Sequence, residues 1–362
     1  MTGAQDRAFM SRALFLAERG RGRTTPNPVV GAVVVTPDGV VAGQGAHLVA
    51  GGPHAEVVAL DAAGAKARGA TVYCTLEPCC HHGRTGPCVE RLVAAGVARV
   101  VVAAVDPNPQ VAGAGIAFLR AHGVSVAAGV GGDEAARQNA PFFRWVTAGR
   151  PFVIVKAALS ADGFAGRPDR RVVLTGARAD QYFQQQRAGI DAIAAGASTV
   201  LIDDPLLTAR GAYRRRPLTR VLFDWRGRIP PSARVCSTVG SGPVIMVVSA
   251  AAAEAAPSWV ASVEALGVEV HRAAERRVRP VLAWLARREI LSLLVEGGPA
   301  LHAAFRDEDV IDRVQCAITP HVLGDGVRGA ALSAAELDRM RWPAAMRLGS
   351  DTLIEFDVHR PD

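Results

Sequence analysis

Three side chains that bind transition metals, and one that does not, recur at short intervals in the first third of this 362-residue chain: His54-Ala55-Glu56, then Glu77-Pro78-Cys79, then Cys88. Two thiolates and an imidazole fill three corners of a tetrahedral zinc site and leave the fourth to water. Zinc lowers the pKa of such a water until hydroxide is available near neutrality. Glu56, two residues beyond the candidate ligand His54, is placed to take the water proton and hand it on. This demand constrains the fold. The ligands come from separate points of the chain, and thiolates stay ionised most readily at helix N-termini. The fold must therefore bring helix starts that follow His54 and the Pro-Cys segment to one place.

The pattern H-x-E…P-C-x-x-C of zinc deaminases uses the same residue types. The departure lies between the cysteines, where Cys80-His81-His82-Gly83-Arg84-Thr85-Gly86-Pro87 replaces a two-residue spacer. Cys80, His81 and His82 offer further ligands. A closed structural zinc knuckle is thus a second reading, and unliganded core cysteines a third. The knuckle explains neither the three-ligand set nor the carboxylate beside it. Four of the six cysteines lie between Cys74 and Cys88. In a reducing compartment such a cluster binds metal or does chemistry rather than forming disulfides. A cytoplasmic address is expected, because the N-terminus carries Asp6 and has no apolar core of a secretory signal. No membrane helix is expected either: the longest apolar run, Pro243 to Ala253, ends at Glu254, short of the ~20 residues required.

Hydrophobic residues make up 49% of the chain and charged residues 21%, enough to bury a core and to exclude disorder as the main state. The length predicts two domains at roughly 100–200 residues each. Residues 6–19 have helical spacing, and Thr25-Pro26-Asn27-Pro28 interrupts it. Strands are expected over 29–35, 40–47, 71–75, 97–105 and 124–128, and helices over 55–64, 88–96 and 113–122. This alternation predicts a three-layer α/β/α domain. The pattern resets between Arg144 and Pro151, which places a boundary near 148. Beyond it, helices are expected over 177–188, 278–288 and from Pro299. Strands are expected to open at 151–155 and to lie over 192–195, 218–224, 244–248, 291–296, 313–320 and 352–359. Residues 250–256 read as helix or loop.

Two segments of the second half suggest ligand binding on weaker grounds. Val295-Glu296-Gly297-Gly298-Pro299-Ala300-Leu301 is a strand, a glycine turn and a helix start. Such a turn presents backbone N–H groups to a phosphate, although it is not G-x-G-x-x-G and reads equally as a plain strand–helix turn. Thr199 to Arg210 ends in a turn with two carboxylates and an arginine, or simply a capped loop. Of the 41 basic residues only Lys66 and Lys156 are lysines. Arginine does not replace a compact ammonium at a tight site, so Lys156 stands out. The net charge of +7 is dispersed. There is no basic arm and no stripe of stacking aromatics, which argues against a nucleic-acid-editing deaminase.

Four stretches carry a family resemblance: Thr25-Pro-Asn-Pro-Val-Val-Gly-Ala-Val-Val-Val35, Pro53-His-Ala-Glu56, Thr75-Leu-Glu-Pro-Cys-Cys-His-His-Gly-Arg-Thr-Gly-Pro-Cys88 and Asp106-Pro-Asn-Pro-Gln-Val-Ala-Gly-Ala-Gly115. With them the chain resembles the bifunctional riboflavin-biosynthesis deaminase–reductase family over essentially its whole length. Lys156-Ala-Ala-Leu-Ser-Ala-Asp-Gly163, Thr199–Arg210 and Glu296–Leu301 match the family's reductase motifs. The resemblance implies an N-terminal three-layer α/β/α cytidine-deaminase-like domain over 1–148 and a C-terminal dihydrofolate-reductase-like α/β domain over 149–362. It implies one zinc ion per chain on His54, Cys79 and Cys88, with Glu56 as proton shuttle and Asn27, His47, Arg84 and Asp106 touching the aminopyrimidine phosphate. It implies NADPH on Ala158, Thr199, Asp203, Gly298, Pro299, Ala300 and Leu301, and the second substrate on Lys156, Arg187, Leu207, Arg210 and Glu296. The expected partners are small phosphoribosyl-aminopyrimidines, with no nucleic acid and no membrane, and the chain is expected to form a dimer or tetramer. Cys80 stands where serine is common. Arg171 and Val173 replace the family's usual serine and tryptophan, so a chain active only as a deaminase is the alternative.

Overall fold

The computed structural model describes residues 3–81, 86–212, 214–329 and 338–358. They fall into two compact units, Met1–Gly149 and Arg150–Asp362.

The first unit runs α1 (Gly3–Ala17), β1 (Gly31–Val35), β2 (Val41–Ala46), α2 (Ala55–Ala63), β3 (Thr71–Leu76), α3 (Cys88–Ala94), β4 (Arg99–Ala104), α4 (Ala114–Ala121), β5 (Ser125–Ala128), α5 (Gly132–Gln138) and α6 (Ala140–Ala148). Its sheet has the order β2-β1-β3-β4-β5. β1 is antiparallel to both neighbours, and β3, β4 and β5 are parallel. β1 and β3 are buried along their whole length because helices cover both faces. On one face Met10, Leu14 and Ala135 of α1 and α5 pack on Val33, Val35, Tyr73 and Val101. On the other, Ala55, Ala59, Leu92 and Leu119 of α2, α3 and α4 pack on Val34, Val72 and Val102. The expected three-layer sandwich is therefore present.

Two glycines of β2 set the height of α2 above the sheet. A Cβ at Gly45 would lie 2.4 Å from the Ala55 carbonyl oxygen, and one at Gly43 would lie 2.2 Å from that of Ala59. Any side chain there would lift α2, and with it the segment that carries His54 and Glu56. Sequence periodicity gave no sign of α5 and α6. The two short helices are separated only by Asn139, whose buried side chain accepts the Val29 N–H and donates to the Val29 carbonyl, both at 2.9 Å.

The second unit runs β6 (Phe152–Leu159), β7 (Phe164–Gly166), α7 (Ala177–Ala188), β8 (Ala192–Gly196), α8 (Ala197–Asp203), β9 (Thr219–Phe223), β10 (Val244–Ser249), α9 (Ala250–Ala255), α10 (Pro257–Glu264), β11 (Glu269–Ala273), α11 (Val278–Ala286), β12 (Ser292–Val295), α12 (Pro299–Asp307), β13 (Arg313–Ile318), β14 (Val327–Arg328), β15 (Met340–Leu348) and β16 (Asp351–Val358). Nine strands form one sheet in the order β11-β10-β9-β8-β12-β6-β13-β16-β15, and β7 and β14 form a separate ribbon. The strands from β11 to β13 are parallel; β16 and β15 close the sheet antiparallel. The largest core packs Leu282, Leu285, Leu301 and Phe305 of α11 and α12 on Val155, Val221, Val247 and Val295. The sequence reading lacked β15. This edge strand is mostly exposed, carries Pro343 and slips register between Arg341 and Ala344, so it shows none of the alternation that marks a half-buried strand.

At the start of this unit the Arg150 guanidinium grips the Asp312 carboxylate at 2.6 and 2.8 Å, and Asp312 also accepts the Val153 N–H at 2.8 Å. Both side chains are buried. Among the described residues no helix is long and apolar enough to cross a membrane.

Candidate functional sites

β3, the central strand, delivers Glu77-Pro78-Cys79 from its carboxyl end, and two helix starts meet it there. His54 is the N-cap of α2, and Cys88 is the first residue of α3. His54 Nδ1 lies 3.2 Å from Cys88 Sγ and 3.5 Å from Cys79 Sγ. The three ligand atoms lie within 4.8 Å of one another, the only such cluster among the described residues. The Cys88 N–H donates to Cys79 Sγ at 3.3 Å. Hydrogen bonds from the Cys88 thiol, the His54 ring and that N–H outweigh burial and hold Cys79 well below an ordinary thiol; the thiolate so formed pushes Cys88 up. Two sulfurs and an imidazole this close fit zinc's preference for nitrogen and sulfur ligands. Cys80 lies outside the triangle, its thiol 3.9 Å from the Gln110 carbonyl, which counts against a four-ligand knuckle that uses it. Glu56 is 3% exposed, and burial pushes its carboxyl up.

His54, Glu56 and Cys79 open onto a cavity of ≈ 360 Å³, which Asn27, His47 and Asp106 also line. Five of the predicted site residues thus line the same cavity as Glu56, while Arg84 lies outside the described residues. His47 is buried, and both its ring nitrogens are used. Nδ1 faces the Pro53 carbonyl at 3.0 Å and must carry the proton, so Nε2 accepts from Asn27 Nδ2 at 3.1 Å. Burial holds His47 below its usual pKa, which favours this neutral form. Its bond to Asn27 fixes the amide and leaves Oδ1 as the acceptor that Asn27 can offer a ligand. In the same lining, burial pushes Asp106 up to about 6. Its carboxylate accepts the Asn108 N–H at 2.8 Å.

Sequence reasoning missed two features of this cavity. Glu77 is buried and accepts N–H groups from Asp106, Gly113 and Ile116 at 3.2, 2.9 and 3.0 Å, bracing the loop that carries Asp106. Its place between a strand and Pro78-Cys79 was the available signal. Phe142 and Trp145 of α6 form an aromatic wall; nothing in the sequence linked a distant short helix to the metal motif.

The second site gathers at the carboxyl ends of the adjacent parallel strands β6, β12 and β8, where open α/β sheets bind ligands. Glu296 follows β12, and Arg187 of α7 grips it at 2.8 and 2.5 Å. Burial would raise Glu296, but these bonds and the Arg187 charge prevail and hold it below its usual range, with Lys156 and Arg210 adding to the effect. Lys156 of β6 is pushed down by burial, and its Nζ stands 4.5 Å above the centre of the Phe183 ring. Arg210 is anchored by its backbone N–H to Gln184 Oε1 at 2.8 Å, and its exposed guanidinium lies 3.7 Å from Asp180. Leu207 is buried at a positive φ of 53°. Gln184, also missed, accepts from Arg187 at 3.4 Å as well, and so ties both arginines to one helix face. Its three-residue spacing from Arg187 was the signal.

Beside this cluster Gly298 N–H donates to Thr199 Oγ1 at 3.1 Å, joining the starts of α12 and α8. A Cβ at Gly297 would come within 2.6 Å of the Leu301 side chain and 3.3 Å of the Gly196 nitrogen. The turn before Pro299 and Ala300 is therefore bare backbone, a surface that fits a dinucleotide phosphate. Asp203 is half-buried and raised by burial, with Arg171 opposing it electrostatically. Ala158 packs at the edge of a small core with Phe183 and Leu353. Val173 is 67% exposed and has no ring to stack on a cofactor.

Behind this site His302 of α12 is buried, and its Nε2 lacks a partner among the described residues. Burial drives its pKa down to about 4, against an ordinary 6.5. The unfolded chain binds a proton below 6.5 that the folded chain refuses until about 4, so stability is lost as pH falls through this window. The full shift corresponds to about 3 kcal/mol. Urea midpoints between pH 7 and 4 should fall more steeply for the parent than for His302→Leu; parallel curves would contradict the assignment.

The two sites define a zinc-type deaminase unit followed by a dinucleotide-dependent reductase unit. Residues 4–104 match the family model of the cytidine and deoxycytidylate deaminase zinc-binding region, and residues 151–353 match the RibD C-terminal domain. The riboflavin biosynthesis protein RibD of Aquifex aeolicus is 37% identical over 355 residues, 97% of this chain and 98% of that protein. Its Escherichia coli counterpart is 39% identical over 339 residues, 90% of each. Two solved structures are similar over 99% of this chain. One is the diaminohydroxyphosphoribosylaminopyrimidine deaminase/5-amino-6-(5-phosphoribosylamino)uracil reductase of Thermotoga maritima, with TM-score 0.86 and 32% identity over 99% of that chain. The other is Acinetobacter baumannii RibD, with TM-score 0.84 and 34% identity over 100% of that chain. The chain belongs to the RibD family of bifunctional riboflavin-biosynthesis enzymes. Zinc and NADPH are the cofactors that fit its deaminase and reductase domains.

Proposed function

We propose that residues 1–148 hydrolyse the 2-amino group of 2,5-diamino-6-ribosylamino-4(3H)-pyrimidinone 5′-phosphate and that residues 149–362 then reduce the ribosyl chain to ribityl. The observation that carries this reading is the triangle of His54, Cys79 and Cys88, whose His54 and Cys79 open with Glu56 onto the cavity that Asn27 and Asp106 line. His54, Cys79 and Cys88 would hold one zinc ion, which when bound supplies the Lewis acidity that makes water nucleophilic near neutral pH. Glu56 takes one proton from the attacking water and gives it to the ring nitrogen, then takes the second from the hydroxyl so added and gives it to the amino group, so that ammonia departs as the oxo group forms. A carboxyl raised by burial suits both directions of transfer. Asn27, its amide held by His47, and Asp106 orient the ring edge.

In the second unit Lys156, Arg187, Arg210 and Glu296 surround the phosphoribosyl chain, with Leu207 closing the turn beneath it. Thr199, Asp203, Ala158 and the Gly298–Leu301 turn would hold NADPH, which when bound supplies the hydride. The exposed Val173 favours one rival, a chain in which only the deaminase is active. The long exposed edge strand β15, with Trp342 and Met346 on its surface, supports self-association into a dimer or tetramer, and a cytoplasmic location completes the reading. The test is incubation of the purified protein with the diaminopyrimidine phosphate, with and without NADPH, and measurement of product masses. Exchange of an amine for an oxo group without NADPH, followed by a gain of two hydrogens with it, is expected. Exchange alone under both conditions would leave the deaminase-only rival; no exchange would overturn the reading.

A further inference from the structure

We propose that Trp145 is the stacking wall against which the deaminase lays its pyrimidine ring, a role resting on the function proposed above. The lining of the cavity is chemically mixed. Glu56, His54, Cys79, Asn27 and Asp106 supply its polar groups, and Phe142 and Trp145 contribute aromatic surface from α6. The aromatic surface is held in place. The two hydrogen bonds between Asn139 and Val29 pin the start of α6 to the strand entry just beyond Asn27. Gly149, in the left-handed region at φ 62°, ends the helix and donates to the Trp145 carbonyl at 3.1 Å. Asn27 and Trp145 therefore belong to one braced rim.

The two aromatic residues differ in what they offer. Phe142 is buried, and its ring lies 6.4 Å from that of Trp145, so it backs the wall. Trp145 is half-buried and has the widest aromatic face among the amino acids. A planar ring held at its edge by Asn27 still needs a face contact to fix its tilt toward Glu56. Stacking supplies that contact and tolerates a charged phosphoribosyl tail outside it.

The experiment compares the zinc-loaded full-length protein with its Trp145→Phe and Trp145→Ala variants, using steady-state ammonia release from the diaminopyrimidine phosphate. Loss of one base–aromatic stack should raise KM roughly ten- to a hundredfold in Trp145→Ala while kcat changes only a few-fold, with Trp145→Phe between. A second readout is independent of turnover. Titration with an unreactive 2-aminopyrimidine nucleotide should quench tryptophan emission in the parent, and that quench should vanish in Trp145→Phe, which keeps the other four tryptophans. Unchanged KM and unchanged quenching in Trp145→Phe would overturn the proposal. So would a fall in kcat alone, which would make Trp145 a support for the reacting groups. If Trp145→Ala fails to fold, Trp145→Phe and Trp145→Leu decide the matter by the same two readouts. A parent that binds the analogue and quenches without turning over the substrate would refute the proposed function and leave the stacking inference standing.

Discussion

Replacing Glu56 with glutamine should lower ammonia release by about a hundred- to ten-thousandfold, the usual contribution of a positioned proton carrier, and leave the zinc content unchanged. Glutamine has almost the shape of glutamate, so the buried start of α2 and the His54 N-cap are preserved while the transferable proton is lost. Cys79→Ser and Cys88→Ser should behave differently and lose metal and activity together, because each removes a corner of the 4.8 Å triangle. Cys80→Ser, whose sulfur reaches only the Gln110 carbonyl, should lose neither. Zinc measured by emission spectroscopy alongside ammonia release separates the three behaviours. If Cys80→Ser stripped the metal, the ligand assignment would be wrong.

Arg187→Met should destabilise the second unit by about 3–5 kcal/mol, the range for breaking a buried ion pair from one side. The Arg187 and Glu296 side chains are 12% and 9% exposed, so solvent does little to screen the stranded carboxylate. Lys156 remains as a partial counter-charge and places the expectation at the lower end of the range. In the double variant Arg187→Met/Glu296→Leu the carboxylate is no longer stranded and only Lys156, which burial already disposes toward its neutral form, loses a counter-charge, so part of the stability should return. Hydride transfer should not return, because both side chains are proposed to touch the substrate. Urea unfolding together with NADPH oxidation on pre-deaminated substrate checks both halves. A double variant as unstable as the single one would show that the pair is not the source of the loss.

The metal site was legible because zinc chemistry restricts residue types: a histidine, two cysteines and a neighbouring glutamate have few other reasons to share such spacing. Their placement at two helix starts followed from the same chemistry. The core strands were legible for a different reason. Strands buried on both faces, such as Val244–Ser249 and Ser292–Val295, are apolar but for one terminal serine each. What could not be read were features defined by a distant partner. His47 was expected to touch substrate and lines the cavity, but that its two ring nitrogens bond Pro53 and Asn27 could not be read from the sequence. Gln184 looks like an ordinary polar helix residue until the Thr208–Arg210 turn folds against it. Trp145 and Asn139 carry no local signal at all, because their meaning lies in residues far earlier in the chain. The edge strand β15 escaped because a bulged edge strand carrying proline need not alternate.

The Arg150–Asp312 fork limits where this chain can be divided or recombined. A second half cut to begin at residue 151, where the match to the C-terminal family model starts, would retain Asp312 at 1% side-chain exposure and discard the guanidinium that neutralises it. The Val153 N–H would still donate to that charge, without the guanidinium's two bonds. On the other side Gly149 is still the cap of α6, the helix that carries the aromatic wall of the first cavity. Between a glycine that the first unit needs and an arginine that the second unit needs, there is no spare residue. The seam is therefore a single peptide bond, Gly149–Arg150, and a transplant or gene fusion that places it elsewhere takes a structural part from one module or the other.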